Sequence, residues 1–162
     1  MKELEQSRGL VVVDGSQYGV NDELIDELIQ NGPQISEPCS PIGKISILSV
    51  RGEFETRFIE IGGQIARKLG LKACTVLAEN SFYIDYPIGS ELLPHRDISW
   101  EGGYRVGLRL MGSGLWVIAG ESESRISYPG AMIVQNLGIA VEHSAPPVKE
   151  STLTAVWSYE LQ

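Results

Sequence analysis

The sequence predicts a mainly β fold, a jelly roll (double-stranded β-helix) with two N-terminal helices packed on one sheet. Three observations carry this. Apolar residues recur at helical spacing in two stretches before Lys72. Beyond Lys72 the pattern changes to short runs rich in Val, Ile, Tyr and Trp, broken by Gly, Pro and Ser about every eight to twelve residues. Eight or nine such runs after two helices fit two packed sheets with helices covering one of them. At 162 residues the chain is expected to form a single domain, with 1–72 supporting the sheet and 73–162 forming the jelly-roll core.

The elements follow in order. Gly9 to Asp14 (GLVVVD) is a β-branched run that reads as a strand, and Asn21 then caps a helix over DELIDELIQ, which ends at Asn31-Gly32-Pro33. Leu24, Ile25, Leu28 and Ile29 form one stripe that should dock on a sheet, while Asp22, Glu23, Asp26 and Glu27 face away. From Asn31 to Gly43 three prolines, Cys39 and small polar residues mark an irregular connection. The strand KISILSV follows. Phe58, Ile61, Ile65 and Leu69 then stand at helical spacing over 54–69, interrupted by Gly62-Gly63 and stopped by Gly70. The later strands are predicted at 73–78, 81–86, 91–97, 104–111, 114–119, 124–128, 131–136, 139–144 and 153–161. Trp116 and Trp157 lie in these strands and read as core.

A net charge of -8 with no stripe of Lys and Arg repels a phosphate backbone, so nucleic acid is not an expected partner. The N-terminus carries no apolar leader-like run, and no apolar stretch approaches membrane-spanning length. A cytoplasmic protein is expected, with no membrane partner. Cys39 and Cys74 lack the paired spacing of a zinc site or a disulfide framework, and both read as free thiols.

Chemistry concentrates on the chain's two histidines. His95 stands in Leu93-Pro94-His95-Arg96-Asp97, where strand alternation puts His95 and Asp97 on one face. His143 lies near the end of a second predicted strand, which a jelly roll can place beside the first. Two neutral nitrogens and one carboxylate on one face of an octahedral ion leave three positions open, an arrangement suited to Fe(II).

Here the sequence resembles the Fe(II)- and 2-oxoglutarate-dependent oxygenases. Tyr86-Pro87-Ile88-Gly89-Ser90-Glu91-Leu92-Leu93-Pro94-His95-Arg96-Asp97 is similar to that family's Y-x-x-G-x-x-x-x-x-H-x-D stretch, and Pro129-Gly130 followed by His143-Ser144-Ala145-Pro146-Pro147-Val148 to its distal segment. The resemblance implies a dioxygenase that uses Fe(II), 2-oxoglutarate and O2 to hydroxylate or otherwise oxidise a C–H bond of a peptide or small metabolite. His95, Asp97 and His143 would be the metal ligands. Asp97 stands where related halogenases carry Gly or Ala, which favours hydroxylation over halogenation.

The sequence departs from the family at one place. Most members carry an Arg or Lys about ten residues after the distal histidine to pair with the far carboxylate of 2-oxoglutarate, whereas Thr152, Leu153 and Thr154 stand here and no basic residue follows Lys149. A second solution within the family puts the cation on the strand after HxD. In Tyr104-Arg105-Val106-Gly107-Leu108-Arg109-Leu110, alternation places Arg105, Gly107 and Arg109 on the face opposite the apolar residues, inside the barrel if the helices cover the apolar face. Arg109 is the first choice for the anchor and Arg105 the second, with Tyr86 adding a phenolic hydrogen bond. Trp100 and Glu101, in the Gly-rich loop after the metal motif, are candidates for the substrate mouth. Two alternatives stay open: a cupin-like metalloenzyme that does not use 2-oxoglutarate, and a non-catalytic jelly-roll binding module.

Overall fold

The computed structural model describes residues 9–34, 45–71, 74–97, 103–139 and 141–161. Its strands, in chain order, are β1 (Leu10–Asp14), β2 (Pro33–Gln34), β3 (Ser46–Val50), β4 (Cys74–Tyr86), β5 (Leu92–His95), β6 (Gly103–Met111), β7 (Gly114–Ile118), β8 (Arg125–Ser127), β9 (Ala131–Asn136), β10 (His143–Ala145) and β11 (Thr152–Leu161). They form a seven-stranded sheet in the order β1-β9-β6-β11-β4-β3-β2 and a four-stranded sheet in the order β5-β10-β7-β8. All the pairings are antiparallel. This is the expected two-sheet jelly roll with its helices on one sheet.

Helix α1 (Asp22–Asn31) starts where Asn21 accepts a hydrogen bond from the Leu24 N–H, which satisfies one of the first-turn amides. Helix α2 spans Glu55–Lys68, with Arg67 and Lys68 in its last turn, where cations favour the helix dipole. The two helices are joined by Arg57 on α2, which donates to both carboxylate oxygens of Glu27 on α1 at 2.7 and 3.0 Å. Leu28, Phe58, Ile61 and Ile65 bury against Val106, Leu108, Ala155 and Trp157 of the large sheet. The Trp157 indole N–H donates to the Phe58 carbonyl at 2.9 Å, and the Tyr159 hydroxyl to the Gly62 carbonyl at 3.0 Å. Gly62 has a packing reason to interrupt an otherwise good helix: a Cβ there would run into the Trp157 ring. Half-buried Cys74 packs at this core as a free thiol, and burial pushes its pKa up. Among the described residues no helix is long and apolar enough to cross a membrane.

A second core fills the space between the sheets. Leu10, Ile133 and Tyr86 of the large sheet meet Leu92, Trp116, Ile118 and Ala145 of the small one. Each inward position of β6 therefore faces this interior, while Val106, Leu108 and Leu110 face the helices. The parity assigned to the arginine strand is the one observed.

Three predicted strands differ from expectation, and Pro33–Gln34, in the stretch expected to be irregular, is instead the short strand β2 paired with β3. The separate strands at 73–78 and 81–86 are one strand, β4, whose register against β11 jumps from Phe82 opposite Val156 to Leu77 opposite Ser158. The extra residues form a bulge closed by Ser81, whose hydroxyl donates to the Leu77 carbonyl at 2.8 Å, so Asn80-Ser81 bends the strand instead of ending it. The strand at 139–144 is reduced to His143–Ala145, because Leu137–Ile139 form a turn in which the Asn136 side chain accepts the Gly138 N–H at 2.9 Å. The strand at 91–97 ends at His95, and Asp97 lies just beyond it. Cys39 falls outside the described residues.

Candidate metal centre

Register brings the two histidines together. His143 on β10 pairs directly with His95 on β5, and their ring centroids lie 4.4 Å apart. Asp97 completes the set: its Oδ1 lies 3.9 Å from His95 Nε2 and its Oδ2 lies 3.6 Å from His143 Nε2. One ligand atom from each of the three falls within 4.8 Å of the others. His143 is buried and the other two are partly exposed, so the group sits at a rim between interior and solvent.

Backbone carbonyls fix both imidazoles. His95 Nδ1 lies 2.8 Å from the Leu93 carbonyl and His143 Nδ1 lies 3.0 Å from the Val141 carbonyl. A carbonyl can only accept, so each Nδ1 carries the hydrogen, and it is Nε2 on the Asp97 side that offers the lone pair of a neutral ring. Burial lowers the His143 pKa, against a raising influence from the Val141 hydrogen bond and Asp97, and so favours the neutral ring that a metal requires. The Trp116 ring packs against His143 at 5.6 Å.

Arg105 and Arg109 both project to this side of the large sheet, but their surroundings differ. The Arg105 guanidinium donates to Asp97 Oδ1 at 2.8 Å and to Ser158 Oγ at 3.4 Å, and lies over the Phe82 ring at 5.9 Å. Arg109 is only 2% exposed, donates to Ser127 Oγ at 3.1 Å, and lies over the Tyr86 ring at 5.6 Å. Its Nε and Nη1 have no hydrogen-bond partner among the described residues. Nor do Tyr86 Oη, Thr152 Oγ1 and Thr154 Oγ1. These groups are neighbours: Thr154 pairs with Arg109 across β11 and β6, and Thr152 with Tyr86 across β11 and β4. Burial pushes the Tyr86 phenol up to about 12, so it stays a neutral donor, and burial lowers the Arg109 pKa.

A cavity of about 260 Å³ is shared by the cluster and by Tyr86 and Thr154, the neighbours of Arg109; Arg109 itself is not in its lining. His95, Asp97, His143, Arg105, Tyr86 and Thr154 line it, with Gly107, Ile133 and Val156 also in its wall. Gly107 keeps this floor low, because a Cβ there would lie 3.2 Å from Thr154 Cγ2. Trp100 and Glu101 lie outside the described residues. Sequence reasoning missed the three lining residues that, like Tyr86, carry a polar side-chain atom unpartnered among the described residues: Trp116, read only as core, and Thr154 and Gln135, which were given no role. The available signal was Gln135 standing in phase with inward-facing Ala131 and Ile133 of β9.

No protein-family model matches the chain, and no curated protein sequence does. Solved structures do match over nearly its whole length. An oxidoreductase of the 2OG-Fe(II) oxygenase family from Burkholderia pseudomallei superimposes with a TM-score of 0.74 at 14% identity, over 98% of this chain and 87% of that one. A viral collagen prolyl hydroxylase from Paramecium Bursaria Chlorella virus-1, solved as its 2OG complex, gives 0.61 at 14% identity, over 96% and 98%. A prolyl hydroxylase from Trichoplax adhaerens, in complex with a hypoxia inducible factor oxygen degradation domain peptide fragment, gives 0.60 at 12% identity, over 98% and 86%. The chain has the fold of these enzymes.

Proposed function

We propose that this protein is a mononuclear Fe(II)- and 2-oxoglutarate-dependent dioxygenase that oxidises a C–H bond of a small molecule or peptide. One observation carries the reading: a two-histidine, one-carboxylate cluster lines a cavity together with Tyr86 and Thr154, and the buried Arg109, with two nitrogens unpartnered among the described residues, lies over the Tyr86 ring and pairs with Thr154 across the strands. The cluster matches the donor set and open face used by non-haem iron oxygenases. The cation answers a different need. A guanidinium held out of water without a partner is costly, and the cost is relieved when a carboxylate reaches it.

In this reading His95 Nε2, Asp97 and His143 Nε2 hold the iron, and Arg109, Tyr86 and Thr154 receive the far carboxylate of 2-oxoglutarate. Iron, 2-oxoglutarate and O2, when bound, would supply the chemistry: O2 is the oxidant, taking two electrons from 2-oxoglutarate as it becomes succinate and CO2 and two from the substrate. The protein supplies placement. Carbonyls of Leu93 and Val141 orient the imidazoles, and Arg105 holds Oδ1 of Asp97 so that the carboxylate is presented in one orientation. Arg105 is committed to Asp97 and Arg109 is not, which gives Arg109 the anchoring role. Thr154 stands near where most members of the family the sequence resembles carry a cation, and it pairs with Arg109 on the neighbouring strand, so Arg109 would serve the same place from β6.

Turnover of 2-oxoglutarate tests this. Protein given Fe(II), 2-oxoglutarate, ascorbate and air should form succinate slowly even without substrate, and His95→Ala should form none. If wild-type protein makes no succinate above a protein-free blank, the reading fails and a cupin-like metalloenzyme takes its place.

A further inference from the structure

Two polar groups lining the cavity are left over once the metal set and the anion pocket are assigned: the indole N–H of Trp116, whose ring packs against His143, and the side-chain amide of Gln135, which stands on the large sheet beside Arg105. Gln135 is 4% exposed, lines the cavity, and its Nε2 has no hydrogen-bond partner among the described residues. It pairs with Arg105 across β9 and β6, and with Leu10 across β9 and β1. That places it one strand from the residue that grips Asp97, on the metal side of the cavity. Arg109 lies four residues along β6 from Arg105, about 13 Å at strand rise, so Gln135 does not serve the carboxylate that Arg109 receives.

The rest of the wall limits what Gln135 can meet. Leu10, Ile47, Phe82, Ile84, Ile133 and Val156 are apolar. The one cation in the described lining, Arg105, is already paired with Asp97. A charged substrate would enter without a counter-charge and lose its hydration, a cost that an apolar wall does not repay. A buried amide N–H with no acceptor is also unfavourable until an acceptor reaches it. Both conditions are met by a neutral molecule with one acceptor oxygen.

We infer that Gln135 selects the substrate, and that the substrate is uncharged and mainly apolar, presenting a carbonyl oxygen to the Gln135 amide beside the metal. This rests on the dioxygenase reading for the site but not on turnover. A site with a buried donor that only the substrate satisfies discriminates strongly against analogues that lack the acceptor.

Three probes that share a branched tail test it: isovaleramide, isovalerate and isopentylamine. Each is titrated into protein loaded with 2-oxoglutarate and Zn(II), a diamagnetic substitute for iron, while NMR follows the Gln135 side-chain amide, identified by its loss in Gln135→Leu. Isovaleramide should shift those resonances, bind more tightly than either charged probe, and lose about ten-fold in affinity in Gln135→Leu. The inference is overturned if the wild-type resonances do not move, if a charged probe binds more tightly, or if Gln135→Leu binds isovaleramide as well as wild type does. A full shift produced by 2-oxoglutarate alone also overturns it, by assigning Gln135 to the co-substrate. Failure of the dioxygenase reading shows separately, as the absence of succinate, and the wild-type shift can still be read in metal-free protein.

Discussion

Replacing Arg109 with Met separates a ligand anchor from a structural arginine, because the two roles predict opposite effects on stability. Met is similar in length and apolar, and the site is 2% exposed, so the change removes a buried charge while largely filling its space. Arg109 makes one side-chain hydrogen bond, to Ser127, whose hydroxyl also donates to the Gly114 carbonyl at 3.4 Å. Two of its nitrogens have no partner among the described residues. Exchanging buried ionic groups for apolar ones of similar volume is often neutral or stabilising by about 1–4 kcal/mol. At this chain length that raises the midpoint of ligand-free thermal unfolding by roughly 2–4 °C per kcal/mol. The same change leaves the far carboxylate of 2-oxoglutarate without its cation, a loss of about 2–5 kcal/mol in binding. The dissociation constant would rise roughly thirty- to several-thousand-fold. Differential scanning fluorimetry reads the first effect, and anaerobic titration of 2-oxoglutarate into the Fe(II) protein reads the second. Arg109→Lys should recover only part of the affinity, because an ammonium cannot supply the bidentate fork. A variant that unfolds more easily than wild type and binds 2-oxoglutarate equally well would refute the reasoning, and Arg109 would then be a structural residue.

Three other outcomes are expected. Alanine at His95, Asp97 or His143 should abolish tight Fe(II) binding while circular dichroism stays close to wild type, and Asp97→Glu should be nearly as damaging, because the added methylene displaces the oxygen. Gly62→Ala should destabilise by about 1–3 kcal/mol in denaturant titration, since crowding against Trp157 outweighs the gain in helix propensity of up to about 1 kcal/mol. His143 is held below its ordinary value of 6.5, so the unfolded chain binds more protons below that pH; metal-free stability should be full above it and fall as the pH drops toward the lowered folded value, a dependence absent in His143→Gln.

What could be read from the sequence was what local pattern determines. The stripe on DELIDELIQ, the β-branched runs and the parity of Arg105, Gly107 and Arg109 each follow from a period of 3.6 or 2, and all are observed. The His–Asp–His cluster was legible because His95 and Asp97 are two residues apart and the chain has a single other histidine. The remaining features depend on contacts between strands. Asn80-Ser81 looks like a turn until Ser81 is seen to close a bulge that β11 tolerates. Thr154 gains meaning only from its register opposite Arg109, and Gln135 only from the absence of a partner for its amide, neither of which is written in a neighbouring residue.

The most direct test is anaerobic addition of Fe(II) and then 2-oxoglutarate, followed by visible absorption. A charge-transfer band should grow to one equivalent of each, disappear in His143→Ala, and require far more 2-oxoglutarate in Arg109→Met. A protein that takes up Fe(II) at His95, Asp97 and His143 yet develops no band at saturating 2-oxoglutarate would contradict the account, because the metal site and the buried cation would then not share a ligand.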